Sequence, residues 1–296
     1  MLLGAVLCLI TAFIQSVSYI FSRIYIAKNG SAFGLAVYSQ LWIGIFSAFL
    51  LPFLHKRFSL GHDFYSDWTL FGIIFTILLG QVAFFKCSRE IEASRLSSLT
   101  GLKLVILVGM CFFFQDTTFS ALKLAAVCLC TIAAVGMNFS GTRISLKGGI
   151  WMFIMLVCFC ECDILIKEMI SSVEGENILT RSLGAVGVVY TSCAVVTLPL
   201  LAFTHRSTRL MMDALPCGLC YFAAMIFLFV GFSLVDVVFA NIIVSSRGII
   251  SVLIGALVSH WGMRKVEPAV GAGVWKRRLV MSVLMVTAMA LYSFSH

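Results

Sequence analysis

The sequence predicts an all-α integral membrane protein whose ten transmembrane helices form two five-helix repeats of inverted topology. Hydrophobic residues make up 61% of the 296 residues and charged residues only 11%, whereas a soluble domain usually carries about 25% charged residues. The apolar residues are gathered into runs of the length that crosses a bilayer, about 20 residues each. The first half of the chain also aligns with the second half.

Ten apolar runs are predicted to cross the membrane, and short loops separate them. In chain order the predicted spans are 3–22, 33–54, 68–85, 94–114, 119–139, 148–166, 182–203, 214–234, 237–258 and 279–295. The first run lacks a basic leader and a small-residue cleavage site, so we expect a retained helix and not a signal peptide. No loop is long enough to hold a soluble domain.

The basic residues predict the orientation. Of the 21 lysines and arginines, fourteen lie on the side of the odd-numbered loops, five lie on the other side, and two lie within spans. By the positive-inside rule the odd-numbered loops are cytoplasmic, which places both termini outside. We expect a multi-pass protein of a cell membrane, either inner or plasma. The positive charge is not gathered on one face, so we expect no nucleic-acid partner.

An internal repeat relates the two halves at an offset of 144 residues. The matched pairs include Gly4 with Gly148, Arg23 with Lys167 and Lys103 with Arg247. The repeats are predicted to cover 1–142 and 143–296. Because five spans is an odd number, the second repeat would enter the membrane with the opposite orientation, as in many secondary transporters.

Two segments carry a resemblance to a known family. The stretch "EIEASRLSSLTGLKLVILVGMCFFF" (90–114) is similar to the fourth span of EamA-like members of the drug/metabolite transporter superfamily, and "LVDVVFANIIVSSRGIISVLIGALVSHWG" (234–262) is similar to their ninth. Members often carry a Gly-Glu pair after these spans, which is missing here. They are also commonly drawn with cytoplasmic termini, and we keep the orientation that the charges indicate. The resemblance implies transport of small organic metabolites such as amino acids, with sugar-phosphate and nucleotide-sugar carriers as more distant relatives.

Two bases are predicted near the bilayer centre. Lys103 and Arg247 each lie midway between the polar edges of their spans, where a charged side chain costs about 3 kcal/mol or more. One interpretation is that they bind an anionic group of a substrate. The other is that a buried carboxylate neutralises each base, or that each side chain reaches the membrane surface.

Uncharged polar residues also lie within the predicted spans. Binding and helix packing both remain open for them, and the same holds for several aromatic residues nearby. The polar candidates for the binding site are Gln15, Gln81, Asn241 and Ser251. The aromatic residues are Tyr19, Phe84, Phe85 and Tyr221.

The segment "CFCECD" (158–163) combines thiols with carboxylates in an apolar span. Its three cysteines do not share one helix face, so a metal or redox site is not expected and no cofactor is predicted. Asp163 precedes Lys167 by four residues, which favours a local ion pair. Glu161 has no such partner, so we expect it to line the cavity, where it binds a cationic group or exchanges a proton, unless it pairs with one of the central bases.

Together these residues favour a secondary transporter that moves an amino acid or a related zwitterionic or anionic compound by alternating access. A sugar-phosphate or nucleotide-sugar carrier is an alternative, as is a membrane scaffold or receptor that transports nothing. No nucleophile–base constellation points to an enzyme. The expected partners are a small-molecule substrate and membrane lipid, and the protein is expected to be a monomer or a homodimer.

Overall fold

A computed structural model describes residues 1–54, 58–59, 68–90, 100–114, 120–137, 145–247, 249–250, 253–254 and 272–294. In these residues every predicted span contains an α-helix. The helices are α1 (Leu2–Asn29), α2 (Ala32–Leu54), α3 (Trp68–Glu90), α4 (Lys103–Phe114), α5 (Ala121–Met137), α6 (Leu146–Ser172), α7 (Ile178–Thr197), α8 (Thr208–Leu234), α9 (Val237–Ser245) and α10 (Ala272–Phe294).

Short elements complete the described chain. A 3₁₀ turn, Thr100–Leu102, leads into α4, and another, Leu198–Phe203, continues α7. Two-residue strands, β1 (Phe58–Ser59) and β2 (Glu174–Gly175), pair antiparallel between the α2–α3 and α6–α7 connections. The predicted helical class is confirmed, and the strand pair is a small addition to it.

Five helical segments are long and apolar enough to cross a membrane, judged by length and composition. They are Leu2–Asn29, Ala32–Leu54, Leu146–Ser172, Ile178–Phe203 and Thr208–Leu234. The remaining helices contain shorter apolar segments within the described residues, such as Trp68–Phe84 and Val280–Phe294. Large apolar side chains on the outside, such as Trp68 (82% exposed) and Phe53 (80% exposed), suit contact with lipid better than contact with water.

Local capping sets several helix ends. α1 ends at Gly30, whose φ of 70° is the left-handed conformation that glycine adopts without strain. α6 begins after Ser145, whose hydroxyl accepts a backbone N–H of the first turn at 3.0 Å. α9 begins after Asp236, whose carboxylate accepts from the backbone N–H groups of Val238 and Phe239 at 3.1 and 3.2 Å. These polar residues satisfy backbone donors that have no partner within the helix.

α6 is longer than its apolar run. The sequence predicts 148–166, but the helix continues to Ser172 through Lys167 and Glu168. Charged residues end an apolar run without ending a helix, since lysine and glutamate are good helix formers. The extra turns carry Lys167 to the end of α8.

Antiparallel helix pairs build the bundle. α1 packs on α8, α3 on α6, α2 on α7, and α5 on α10. The Ser18 hydroxyl on α1 donates to the Cys217 carbonyl on α8 at 3.1 Å. α2 and α7 approach closely at Gly44, where an added Cβ would lie 2.0 Å from the Ala194 Cβ. The largest buried apolar cluster contains residues of all ten described helices, and two smaller clusters are separate from it.

Candidate functional site

A cavity of about 200 Å³ lies in the centre of the bundle. Residues of α1, α2, α3, α6, α7, α8 and α9 form its wall, together with the start of α4 and the residue Arg247 beyond α9. Among the described wall residues, the charged side chains are Lys103, Asp163 and Arg247, with a net charge of +1 when all are ionised. The volume is below the roughly 300–1,000 Å³ of sites for drug-sized ligands, so the cavity suits a compact molecule.

Neutral groups hold the guanidinium of Arg247. Its Nη1 donates to Gln15 Oε1 at 2.9 Å and to the Tyr19 hydroxyl at 3.2 Å. Its Nη2 donates to Thr100 Oγ1 at 3.1 Å. The guanidinium carbon also lies 5.1 Å from the centre of the Tyr19 ring, within range of a cation–π contact. Within the described residues no carboxylate lies within 4 Å of Arg247, so its charge is oriented but not neutralised.

Lys103 has a carboxylate partner. Its Nζ forms an ion pair with Asp163 Oδ2 on α6, and the two side chains are 18% and 10% exposed. The amide nitrogen of Asn241 on α9 donates to the same oxygen at 2.7 Å. The Cys160 thiol donates to the Lys103 carbonyl at 3.3 Å, which ties α6 to the start of α4. Of the alternatives for the two bases, neutralisation by a buried carboxylate applies to Lys103.

The predicted ion pair between Asp163 and Lys167 is wrong. Asp163 turns to Lys103 on another helix. Lys167 Nζ donates to the backbone carbonyls of Phe232 and Val235, the latter at 3.0 Å. The last carbonyls of a helix have no partner within the helix, so an ammonium satisfies them well. The local i, i+4 contact is the weaker option for both side chains.

The expectation that Glu161 lines the cavity is also corrected. Asp163, Cys162 and Phe159 belong to the described wall of the cavity, and Glu161 does not. Two residues along a helix correspond to a rotation of about 200°, so Glu161 lies on nearly the opposite side from Asp163. It is half-buried there. The carboxylate that lines the cavity is therefore Asp163 and not Glu161.

The remaining predicted site residues can be placed with one exception. Gln15, Gln81 and Asn241 all lie in the wall. Gln15 and Asn241 contact the central charges directly, whereas the Gln81 amide donates to Gln40 Oε1 at 3.0 Å. Ser251 lies outside the described residues.

Aromatic residues form much of the apolar wall. Tyr19 and Phe84 stack with their ring centres 6.4 Å apart, and Tyr221 also lines the cavity. The side chain of Phe85 lies outside the described part. Sequence reasoning left Tyr19 and the other aromatic residues undecided between pocket and packing. It missed the contact of Tyr19 with Arg247, because nothing in the sequence shows which helix faces α9.

The cavity approaches one end of the bundle. Ile26, one turn before the end of α1, and Leu35, one turn into α2, belong to its wall. On α6 the wall ends at Ile166, just before Lys167 joins α6 to the C-terminal end of α8. We call these ends of the bundle the α1–α2 end and the α6–α7 end, after the connections found there. The cavity reaches toward the first, and Lys167 ties helices together at the second.

The thiols do not form a metal site in the described part of the chain. None of the eleven cysteines forms a disulfide, and ten of them are buried or half-buried. No group of three histidine, cysteine, aspartate or glutamate residues lies close enough to hold a metal ion among the described residues. Cys162 and Cys217 line the cavity, where they serve as small, weakly polar wall residues.

Comparison with known proteins identifies the fold but no family. No protein-family model and no curated protein matches the chain. A solved structure described as "Crystal structure of protein" is similar in fold, with a TM-score of 0.68 and 10% sequence identity. The similarity covers 97% of this chain and 96% of the other. At this level of identity the likeness shows a shared fold over the whole chain.

Proposed function

We propose that the protein is a secondary transporter that moves a small organic metabolite, an amino acid or a related zwitterionic or anionic compound, across the membrane by alternating access. The observation that carries the proposal is the central cavity with Lys103, Asp163 and Arg247 in its wall. Charged groups inside a membrane bundle are costly, and they are typical of substrate and ion pathways. A scaffold that transports nothing has no use for them.

The helix pairs support two inverted repeats of five spans, 1–142 and 143–296. Exchanging the halves turns the α1–α8 pair into the α6–α3 pair and leaves α2–α7 and α5–α10 as pairs of equivalent helices. Individual contacts follow the same exchange. The Cys87 thiol on α3 donates to the Gly148 carbonyl on α6 at 3.7 Å. At the offset of 144 residues, Cys87 corresponds to Gly231 and Gly148 corresponds to Gly4. A Cβ added to Gly231 would lie 3.7 Å from the Gly4 carbonyl oxygen. Inverted repeats around a midplane site are the architecture of many secondary transporters.

The unequal ends of the cavity support alternating access. Its wall reaches toward the α1–α2 end, whereas Lys167 and the β1–β2 pair connect elements at the α6–α7 end. A transporter open to one side has this asymmetry. Rocking the repeats against each other would break the contacts of Lys167 and expose the same cavity to the other side.

A sugar-phosphate or nucleotide-sugar carrier remains the alternative, and Arg247 would serve it as an anion partner. The small cavity volume argues against a nucleotide sugar. We propose no catalytic role, because the described wall contains no histidine and no nucleophile–base pair.

A thermal-stability screen of the detergent-purified protein tests the proposal. The panel contains amino acids, organic acids, sugar phosphates and nucleotide sugars, and a ligand at 100 times its Kd stabilises the protein by about 2.7 kcal/mol. A compound that raises the Tm should also enter liposomes containing the protein. Arg247→Gln should remove both effects, whereas Arg206→Gln, which changes an exposed arginine before α8, should preserve them. A ligand that binds but never crosses the liposome membrane would refute transport.

A further inference from the structure

We propose that the cavity selects a compact organic monoanion with an apolar body, whose anionic group binds Arg247 in the place of a carboxylate that none of the described residues supplies. This inference rests on the proposed transport function and names the substrate class of the same site. It narrows the expected range of zwitterions and anions to anions.

The repeat reveals a missing carboxylate. At the offset of 144 residues, Lys103 corresponds to Arg247 and Asp163 corresponds to Tyr19. Lys103 contacts Asp163, and Arg247 contacts the Tyr19 hydroxyl at 3.2 Å. The two contacts are therefore equivalent under exchange of the halves, but one joins a base to a carboxylate and the other joins a base to a phenol. The position opposite Arg247 lacks the counter-ion that its equivalent has.

The charge balance points to a single negative charge on the ligand. Lys103 and Asp163 neutralise each other, and the charge of Arg247 is left over among the described wall residues. A monoanion would bring the wall to neutrality. The guanidinium can bind a carboxylate through two parallel N–H groups, and such charged hydrogen bonds are stronger than the neutral ones to Gln15 and Thr100.

The engaged state of Asp163 disfavours a zwitterion. Its Oδ2 accepts hydrogen bonds from both Lys103 and Asn241. The ammonium of an amino acid would have to compete with Lys103 for this carboxylate and would lie beside a like charge. Among the described wall residues no second carboxylate is available to an ammonium elsewhere in the cavity, and a buried ion without a counter-ion is costly.

The residues of the wall also indicate the chemical character of the uncharged part of the ligand. Among the described residues, five aromatic side chains line the cavity: Tyr19, Phe84, Phe159, Tyr190 and Tyr221. Such rings favour an apolar body, an aromatic ring included, through stacking and edge contacts. Within about 200 Å³ this body can be little larger than a single ring with a short chain.

Four probes with nearly the same skeleton test the charge requirement. They are 3-phenylpropanoate (anion), 3-phenylpropanamide (neutral), phenylalanine (zwitterion) and 2-phenylethylamine (cation). We expect 3-phenylpropanoate to stabilise the purified protein and to bind at least about tenfold more tightly than each of the others. Equal or tighter binding of the amide would overturn the role of the anionic group. Equal or tighter binding of phenylalanine would overturn the selection of a monoanion.

Gln15→Glu tests the missing carboxylate with almost no change of shape. Gln15 Oε1 lies 2.9 Å from Arg247 Nη1, so a glutamate there supplies the counter-ion from the protein itself. We expect 3-phenylpropanoate to bind at least about 30-fold more weakly. The neutral Gln15→Met should weaken binding by less than about tenfold. Unchanged binding in Gln15→Glu would overturn the assignment of the anion to Arg247.

Two more variants distinguish the effect of a negative charge beside Arg247 from that of a negative charge elsewhere in the wall. Gln81→Glu adds the same charge elsewhere in the wall, at a side chain that bonds Gln40 and not Arg247, and should weaken binding less than Gln15→Glu does. Tyr19→Asp introduces the carboxylate at the position that the repeat indicates and should match Gln15→Glu. Equal losses in Gln81→Glu and Gln15→Glu would overturn the local role of Arg247.

The failure of this inference is distinguishable from the failure of the proposed function. If the four probes have no effect but a sugar phosphate or an amino acid is bound and transported, the monoanion inference is wrong and the transporter remains. If no compound of the wider panel binds or crosses, both are overturned.

Discussion

The buried ion pair between Lys103 and Asp163 allows a quantitative test of the central cluster. Two unit charges about 4 Å apart attract each other by about 4 kcal/mol at an effective dielectric constant of about 20. Removing one partner of a buried pair typically costs about 3–5 kcal/mol, because the other charge is left without a partner. The side chains are 18% and 10% exposed, so the cavity relieves part of this cost. We expect Asp163→Asn and Lys103→Met each to destabilise the protein by about 3 kcal/mol.

The double variant should be much less affected than the sum of the single variants. With both charges gone nothing unpaired remains, so we expect a loss of about 1–2 kcal/mol and a coupling energy of about 4 kcal/mol between the two sites. Thermal unfolding in detergent can be followed with a thiol-reactive fluorophore, because ten of the eleven cysteines are buried or half-buried. At this chain length 1 kcal/mol shifts the Tm by about 2 °C, so each single change should lower it by about 6 °C.

An exposed ion pair provides the matched control. Lys28 and Asp213 join α1 to α8 at 2.8 Å, with side chains 48% and 22% exposed. We expect Lys28→Met to lower the Tm much less than either central change, since solvent screens such pairs. If the two central changes were simply additive, Lys103 and Asp163 would be energetically independent. The description of the cluster as a neutralised pair would then be wrong.

Other consequences of the structure are equally accessible to measurement. Gly44→Ala should cost about 1–3 kcal/mol, because the added Cβ overlaps the neighbouring helix, whereas Gly109→Ala, with nothing within 4 Å of the added Cβ, should leave the Tm nearly unchanged. In a variant whose other ten cysteines are replaced, a membrane-impermeant thiol reagent should label Cys162 only from the side of the membrane at the α1–α2 end. Adding Lys167→Gln to this variant should permit labelling from both sides of the membrane. Labelling that remains confined to one side would contradict the role of Lys167 in closing the α6–α7 end. Asp236→Ala should cost about 1–3 kcal/mol through loss of the cap of α9 and of the hydrogen bond from the buried Tyr292 hydroxyl, and Asp236→Asn, which can still accept both, should cost less on the same melting curves. A reporter that works only in the cytoplasm should stay silent at the C-terminus, and a bright signal would reverse the predicted orientation.

Sequence patterns located the helices but not their full lengths. Every predicted span contains a helix in the described residues. The prediction works because a run of apolar residues is easily recognised in a sequence and is also what favours burial of a helix in a bilayer or core. The ends differ where polar residues continue a helix. α1 extends beyond the predicted residue 22 to Asn29 before Gly30 stops it. Hydropathy reports burial in lipid, whereas backbone hydrogen bonds and caps determine where a helix ends.

The site was predicted in part. Lys103 and Arg247 were identified because charge in an apolar span is costly and needs a reason, and both lie in the wall of the cavity. Glu161 and Asp163 are two residues apart in the same apolar span, and the sequence does not show which of them faces inward. The choice depends on the rotation of α6 about its axis, which packing against α3 determines.

The sequence by itself determined the helical class, the apolar character and positions of the helices, and the presence of two bases within apolar segments, because these follow from composition and from local runs of residues. The tertiary structure alone decided the partners of those bases. Lys103 and Asp163 are 60 residues apart in the chain, and Arg247 and Tyr19 are 228 residues apart. Helical periodicity gives the face on which a side chain lies, but contacts between helices depend on how the helices pack. The packing of the helices places a carboxylate beside Lys103 and only uncharged partners beside Arg247 among the described residues.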